Sequence, residues 1–250
     1  MSASVRVVGT TERAGKHGIS EAPWRAGVRA ARANVVPGLI VQGVMLGLLL
    51  SYYGSPGMRG WLLGLAELKL RWGYGYSGVA SVVAGALLPE VLRIGVFQKL
   101  RGHRGNLRSL VFTIPFWCVM GIMVDALYRS QAAVFGTAVE FKIVAVKVAI
   151  DQFIYSPLVS GPLTVWFYAW KNSGRPPGPR QFFTVGNYRR EILPVVMAIW
   201  GVWLPIVTIL YCLPEPLQIP MFALALTLWV MLYTWMSEER GGVREIPAAG

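Results

Sequence analysis

An all-α, multi-pass transmembrane helix bundle is the fold class this sequence predicts, on three observations. Hydrophobic residues make up 54% of the 250 and charged residues only 14%, with a mean hydropathy of +0.49, a balance far from that of soluble domains. Six runs approach or exceed the ~20 residues needed to cross a ~30 Å hydrocarbon layer. They are Val35 to Tyr53, Ser77 to Phe97, Leu110 to Tyr128, Phe141 to Trp170, Ile192 to Cys212 and Leu217 to Met236. None alternates polar and apolar residues as a membrane barrel strand does.

Residues 1–34 are polar and Arg-rich and read as a basic tail, disordered or lying on the membrane surface. An organelle transit peptide is the alternative there, with Glu12 and Glu21 weighing against it. Residues 35–76 hold an extra hydrophobic span followed by Pro56 to Gly75, where Trp61, Trp72 and Tyr74 stand beside Arg59, Lys69 and Arg71. That mixture suits an interfacial helix with its rings at headgroup level. The span from Ser77 carries Gly78, Ala80, Ser81, Ala84, Gly85 and Ala86, small residues that let helices approach closely inside a bundle. Residues 77–237 form the main bundle and 238–250 a polar C-terminal tail. The connector Lys171 to Gln181, rich in Pro and Gly, reads as extended and hydrated. Aromatic clusters at Trp166, Tyr168 and Trp170, and at Trp229, Tyr233 and Trp235, fit belts at the membrane interface.

Basic residues outnumber acidic ones 24 to 12, and their placement explains the excess. With six spans and the N-terminus on the positive-rich side, 17 cations fall on that side and 5 on the other, leaving Arg93 and Lys147 within spans. This is the asymmetry that orients membrane proteins, with attraction to anionic lipid headgroups. No nucleic-acid partner is needed to account for it. Cys118 and Cys212 both lie in apolar runs, and His17 and His103 both lie in basic loops. No metal set, cofactor motif or nucleophile constellation results, and an enzyme is not expected. Glu90 or Asp125 as an acid or base is all that a catalytic reading has.

The charges inside the spans carry the functional reading. Lys147 and Asp151 are four apart, so a helix puts them on one face where they can pair, with Gln152 beside them. An unpaired charge at the membrane centre costs at least ~2.5 kcal/mol, so both point inward. Pro157 and Pro162 follow, and a kink or break is expected near Pro157. Glu90 and Arg93 make a second pair at spacing three, and Asp125 with Arg129 lies nearer a span end. Two readings follow. Either Glu90, Asp125, Lys147 and Asp151 surround a hydrated passage for small solutes or ions, or the pairs only lock helix registry in a structural or scaffolding protein.

The stretch Lys147 to Pro157 resembles the Mpv-seventeen or twenty-two-kilodalton peroxisomal membrane protein family, which also includes the yeast Sym protein. That family shows a Lys-x-x-x-Asp-Gln core followed by Pro, matched here by Lys147, Asp151, Gln152 and Pro157. Gly121 and Tyr128 match the separation of its Gly-Pro...Trp-Tyr motif, with Ile122 and Leu127 in place of Pro and Trp. Glu90 stands for the acid of its Gly-Asp element. Pro194 and Pro205 fit its Tyr-Pro...Trp-Pro spacing, and the segment around Trp229 is similar in character. Its Asn-Phe pair is not evident, and the resemblance covers Ser77 to Ser237. It implies a helical protein of a mitochondrial inner, peroxisomal or bacterial inner membrane; separately, a homo-oligomer is compatible with the sequence. Some members are weakly selective channels, and no enzyme chemistry is implied.

Overall fold

A computed structural model describes residues 34 to 243, together with Val28 and Arg32, and the side chains as far as residue 232. The expected N-terminal tail and the last seven residues lie outside that range. Among the described residues from 34 onward, eight helices follow in order: α1 Val35–Gly54, α2 Pro56–Trp72, α3 Tyr74–Phe97, α4 Arg104–Phe135, α5 Phe141–Ser173, α6 Pro179–Phe182, α7 Val185–Tyr211 and α8 Glu215–Val243. No strand occurs among the described residues. All but α2 and α6 are long and apolar enough to cross a membrane. The chain is a multi-pass transmembrane helix bundle. The helices outrun the apolar runs at most ends, because hydrogen bonding continues past the last apolar residue. α8 runs through 238–243, where a tail was expected. The connector after the fourth span is likewise shorter than expected: Lys171 to Ser173 complete α5, which Gly174 ends in the left-handed conformation (φ 74°) that glycine adopts without steric cost.

The fourth span does not break at Pro157. It continues, but Asp151–Ser160 is π-helical, and the N–H of Gly161 closes onto the carbonyl of Ser156, five residues back. Val83–Leu87, Arg93–Phe97 and Tyr188–Ile192 are π-helical as well. Three of these four segments adjoin or contain prolines: Pro89, then Pro157 with Pro162, then Pro194. A proline inside a helix clashes with the carbonyl four residues before it, and a wider turn relieves that contact. Pro115 and Pro205 stay within α geometry, so proline alone does not dictate the widening.

Side chains of α1, α2, α4, α5, α7 and α8 form the main core, with Met45, Leu62, Ile206, Leu210, Leu217 and Met221 almost wholly buried. The closest seam is α3 on α4, and it uses the small residues anticipated above. A methyl group added to Gly121 would overlap the Ser81 hydroxyl and the Ser77 carbonyl, and one on Gly85 would enter the Trp117 ring. Helices in lipid gain little from hydrophobicity and are held by such close packing. The aromatic cluster at Trp166, Tyr168 and Trp170 packs inward as well as marking a span end. Phe112 meets Trp170 edge-on at 5.6 Å, and Phe116 stacks on Phe167 at 4.2 Å.

Gly121→Ala must move a backbone carbonyl, so we expect it to lower stability by about 1–3 kcal/mol. Gly43→Ala, at a site with nothing within 4 Å, should be neutral or slightly stabilising. Thermal unfolding of both variants in detergent checks the contrast.

Candidate functional site

The buried ionisable residues fall into three separate networks. In the first, Asp125 on α4 is 1% exposed and is held from three sides. Lys69 Nζ donates at 2.8 Å, Ser77 Oγ at 2.6 Å and Arg129 Nε at 3.0 Å. The sequence places Lys69 on an interfacial helix at headgroup level, but it is only 2% exposed. Leu62, Ala66 and Lys69 recur at helical spacing on one face of α2 and turn it into the bundle, which carries the ammonium to Asp125. Arg129 also covers the Tyr74 ring at 4.7 Å. In the second network, Glu90 accepts from Arg93 Nη1 at 3.0 Å, the pair read from the sequence, and also from the Asn106 amide. Asn106 and Asp125 are nineteen residues apart on α4, roughly 28 Å at 1.5 Å each. Glu90 and Asp125 thus stand far apart along α4 rather than around one constriction.

The third network holds the opening motif of the resemblance. Lys147 and Asp151 are both buried, but they do not pair. Lys147 Nζ donates instead to the Gly136 carbonyl at 2.6 Å and lies 5.8 Å from the centre of the Tyr211 ring. Helical side chains lean toward the N-terminus, so a Lys leans away from an acid four residues later, which makes this the weaker order for an i,i+4 pair. Asp151, 5% exposed, accepts from the Tyr211 hydroxyl at 3.1 Å and from Gln152 Nε2 at 2.8 Å. Gln131 Nε2 donates to the same Tyr211 oxygen at 2.8 Å. Tyr128 packs its ring on Tyr211 with centroids 4.9 Å apart. The carbonyl oxygens of the Gln131 and Gln152 side chains and the Tyr155 hydroxyl are buried without a hydrogen-bond partner. Asp151 is therefore a buried carboxylate with neutral donors, no cation and vacant oxygens beside it.

Pro157 and Pro162 explain two further bonds. In the i→i+5 register the carbonyl of Gln152 faces residue 157 and that of Pro157 faces residue 162, and neither proline has an N–H. Both carbonyls are taken by aromatic donors from α7: Trp200 Nε1 to Gln152 at 2.6 Å and the Tyr188 hydroxyl to Pro157 at 3.0 Å. Pro205 strips the α-helical donor from Gly201 in the same way. Gln42 Nε2 of α1 lies 3.3 Å from that carbonyl and 3.0 Å from the next, Val202. Of the other motif positions, Gly121 sits in the α3–α4 seam and Pro194 follows the π turn of α7, while Trp229 packs partly buried against the main core. No group of acids, Cys or His able to hold a metal ion occurs among the described residues.

Lys69, Ser77, Asn106, Tyr211 and the donors Tyr188, Trp200 and Gln42 were missed by sequence reading. The five-residue spacing of Pro157 and Pro162 was the available signal for two of them. Trp200→Phe and Tyr188→Phe each leave a carbonyl orphaned and should cost about 1–3 kcal/mol. Thr208→Val, whose hydroxyl bonds only within its own helix, should cost little in the same detergent unfolding assay. Set against family models, curated proteins and solved structures, the chain finds no match in any of the three.

Proposed function

We propose that this membrane protein forms or regulates a path for small solutes or ions, with Asp151 as the residue that sets its local field and hydration. One observation carries the reading: Asp151 is a buried carboxylate with no cation against it and with three buried oxygens lacking partners around it. An ionisable group in a span, uncompensated by its surroundings, marks a substrate or ion pathway more often than a structural lock. The π-helical stretch beginning at Asp151 supports this, because such register shifts recur at functional sites. Lys147 adds a positive charge one turn away, on the side of the Gly136 carbonyl. The resemblance to the Mpv-seventeen family at Lys147, Asp151, Gln152 and Pro157 supports it too, and extends the proposal to an organelle or bacterial inner membrane. Glu90 and Asp125 drop out of the lining, since each has its own partners.

Those two satisfied networks favour the second reading, a scaffolding protein, for their own part of the bundle. Buried pairs with every partner in place fix registry and need carry nothing. On that view Lys69→Ala removes one of the two cations on Asp125, leaves Arg129 and Ser77 in place and costs about 1.5–3 kcal/mol, with no effect on flux beyond the loss of folded protein.

Uptake of small ions and neutral solutes into proteoliposomes separates the two. Wild-type protein should admit solute, and folded Asp151→Asn should change the rate or the preference between cations and anions by several-fold. Wild-type vesicles no leakier than empty ones, or unchanged fluxes in the variant, would remove the transport reading.

A further inference from the structure

A cleft of about 290 Å³ opens between α4 and α5, lined by Val111, Phe112, Pro115, Phe116, Phe167 and Trp170. Every lining residue is apolar. On α4 the residues 111, 112 and 115 share one face at spacings of three and four, and Arg108 lies one turn above them on that face. On α5 the residues 167 and 170 are followed on the same face by Lys171 and Gly174. The two rows converge at the top: the Arg108 guanidinium lies 3.6 Å from where a Gly174 methyl would stand, and Lys171 Nζ donates to Ser109 Oγ at 2.8 Å. The acid whose charge acts on Lys171 is Glu90, and its carboxylate already accepts from Arg93 and Asn106. Arg108 is exposed, and Arg175 follows just beyond the helix end.

We propose that this cleft is a binding site for one anionic phospholipid, with an acyl chain against the Phe112, Phe116, Phe167 and Trp170 rings and the phosphate at Arg108 and Lys171. A dry cavity of ~150 Å³ accepts benzene, so this cleft has room for a length of hydrocarbon chain. The rings give that chain a fixed bed, and Pro115 leaves a notch by removing the backbone N–H that would close on Val111. The planar fork of Arg108 matches phosphate oxygens in pairs, with Lys171 adding a point charge beside it. Basic loops attract anionic lipid in general, each Lys or Arg near the surface contributing about 1 kcal/mol. This site adds a particular place where headgroup charge and chain packing coincide.

The test uses the full chain in bilayer nanodiscs of equal phosphatidylglycerol and phosphatidylcholine, transferred to detergent and read by native mass spectrometry for retained lipid. Wild type should retain one phosphatidylglycerol in preference to phosphatidylcholine. Arg108→Gln should reduce that preference about fivefold, and the double change with Lys171→Gln about 25-fold. Arg180→Gln with Arg189→Gln, an equal loss of charge on other residues, should leave it nearly unchanged. Val111→Trp fills the cleft from an exposed position and should abolish retention with both cations intact. No preference in wild type, an equal effect of the Arg180 and Arg189 changes, retention undiminished by Val111→Trp, or displacement by millimolar inorganic phosphate alone would each overturn the proposal. Because Arg108 and Val111 are both exposed, the two single variants test the site without a burden on folding.

Discussion

A carbonyl without a donor is more costly in lipid than anywhere else in a protein, because no water is present to replace the lost bond. This chain places several prolines inside its spans and so creates such carbonyls repeatedly. The solution is the same each time a partner is visible. A side chain from a neighbouring helix supplies the missing donor: Trp200 to Gln152, Tyr188 to Pro157, and Gln42 to the pair beside Pro205. Each of these bonds joins two helices, since proline has removed the backbone donor that the carbonyl's own helix would supply. Prolines that loosen single helices thereby tie the bundle together. α7 is held to α5 by two such bonds and to α1 by the amide of one Gln.

Charge follows the same rule of compensation, with one exception. Asp125 collects an ammonium, a guanidinium and a hydroxyl from three helices, and Glu90 collects a guanidinium and an amide. Both are closed sets in which the desolvated carboxylate meets enough donors to be tolerated. Asp151 has the matching burial without the matching charge. Its cation is present in the sequence, four residues away, but is committed to Gly136 and the Tyr211 ring. Tyr211 stands between the two, with its ring toward the ammonium and its hydroxyl toward the carboxylate. One side chain thus meets both charges, which the lean of Lys147 has already turned apart.

The six spans were legible because each is a long run of apolar residues, and the small-residue face of α3 because close approach demands small side chains. The Glu90–Arg93 pair was legible for a similar reason, since both partners lie on one helix at a helical spacing. What sequence spacing concealed were the bonds between helices. Lys69 reads from the sequence as an interfacial cation because α2 is short and charged, and only the turn of its Leu62, Ala66 and Lys69 face into the bundle gives the ammonium a partner. The Lys147–Asp151 expectation failed for a local reason. A shared face is necessary for pairing, but the lean of the side chains decides which way a Lys reaches. The π register over Asp151–Ser160 was half legible. Two prolines at spacing five announced trouble for an α-helix, while the widened turn and its aromatic donors depend on α7 lying alongside.

Asp125 and Asp151 therefore make an internal comparison. Both lie in the half of the bundle that contains the C-terminus of α4, both are almost wholly buried, and both are reached by hydroxyl donors. They differ in what surrounds them. Asp125 sits where α3 and α4 are pressed together through Ser77, Ser81 and Gly121, a seam with no room for anything further. Asp151 opens a ten-residue stretch in which the helix is wider than α, and the side-chain oxygens of Gln152 and Tyr155 within it, and of Gln131 on α4, remain without hydrogen-bond partners. Tight packing with full charge compensation is what registry needs. Loose backbone register with an uncompensated carboxylate is what a binding or conducting position needs, because an arriving ion or polar solute must find partners that the protein has not already used. The two aspartates differ in packing and in charge compensation, and the difference follows from where the prolines fall.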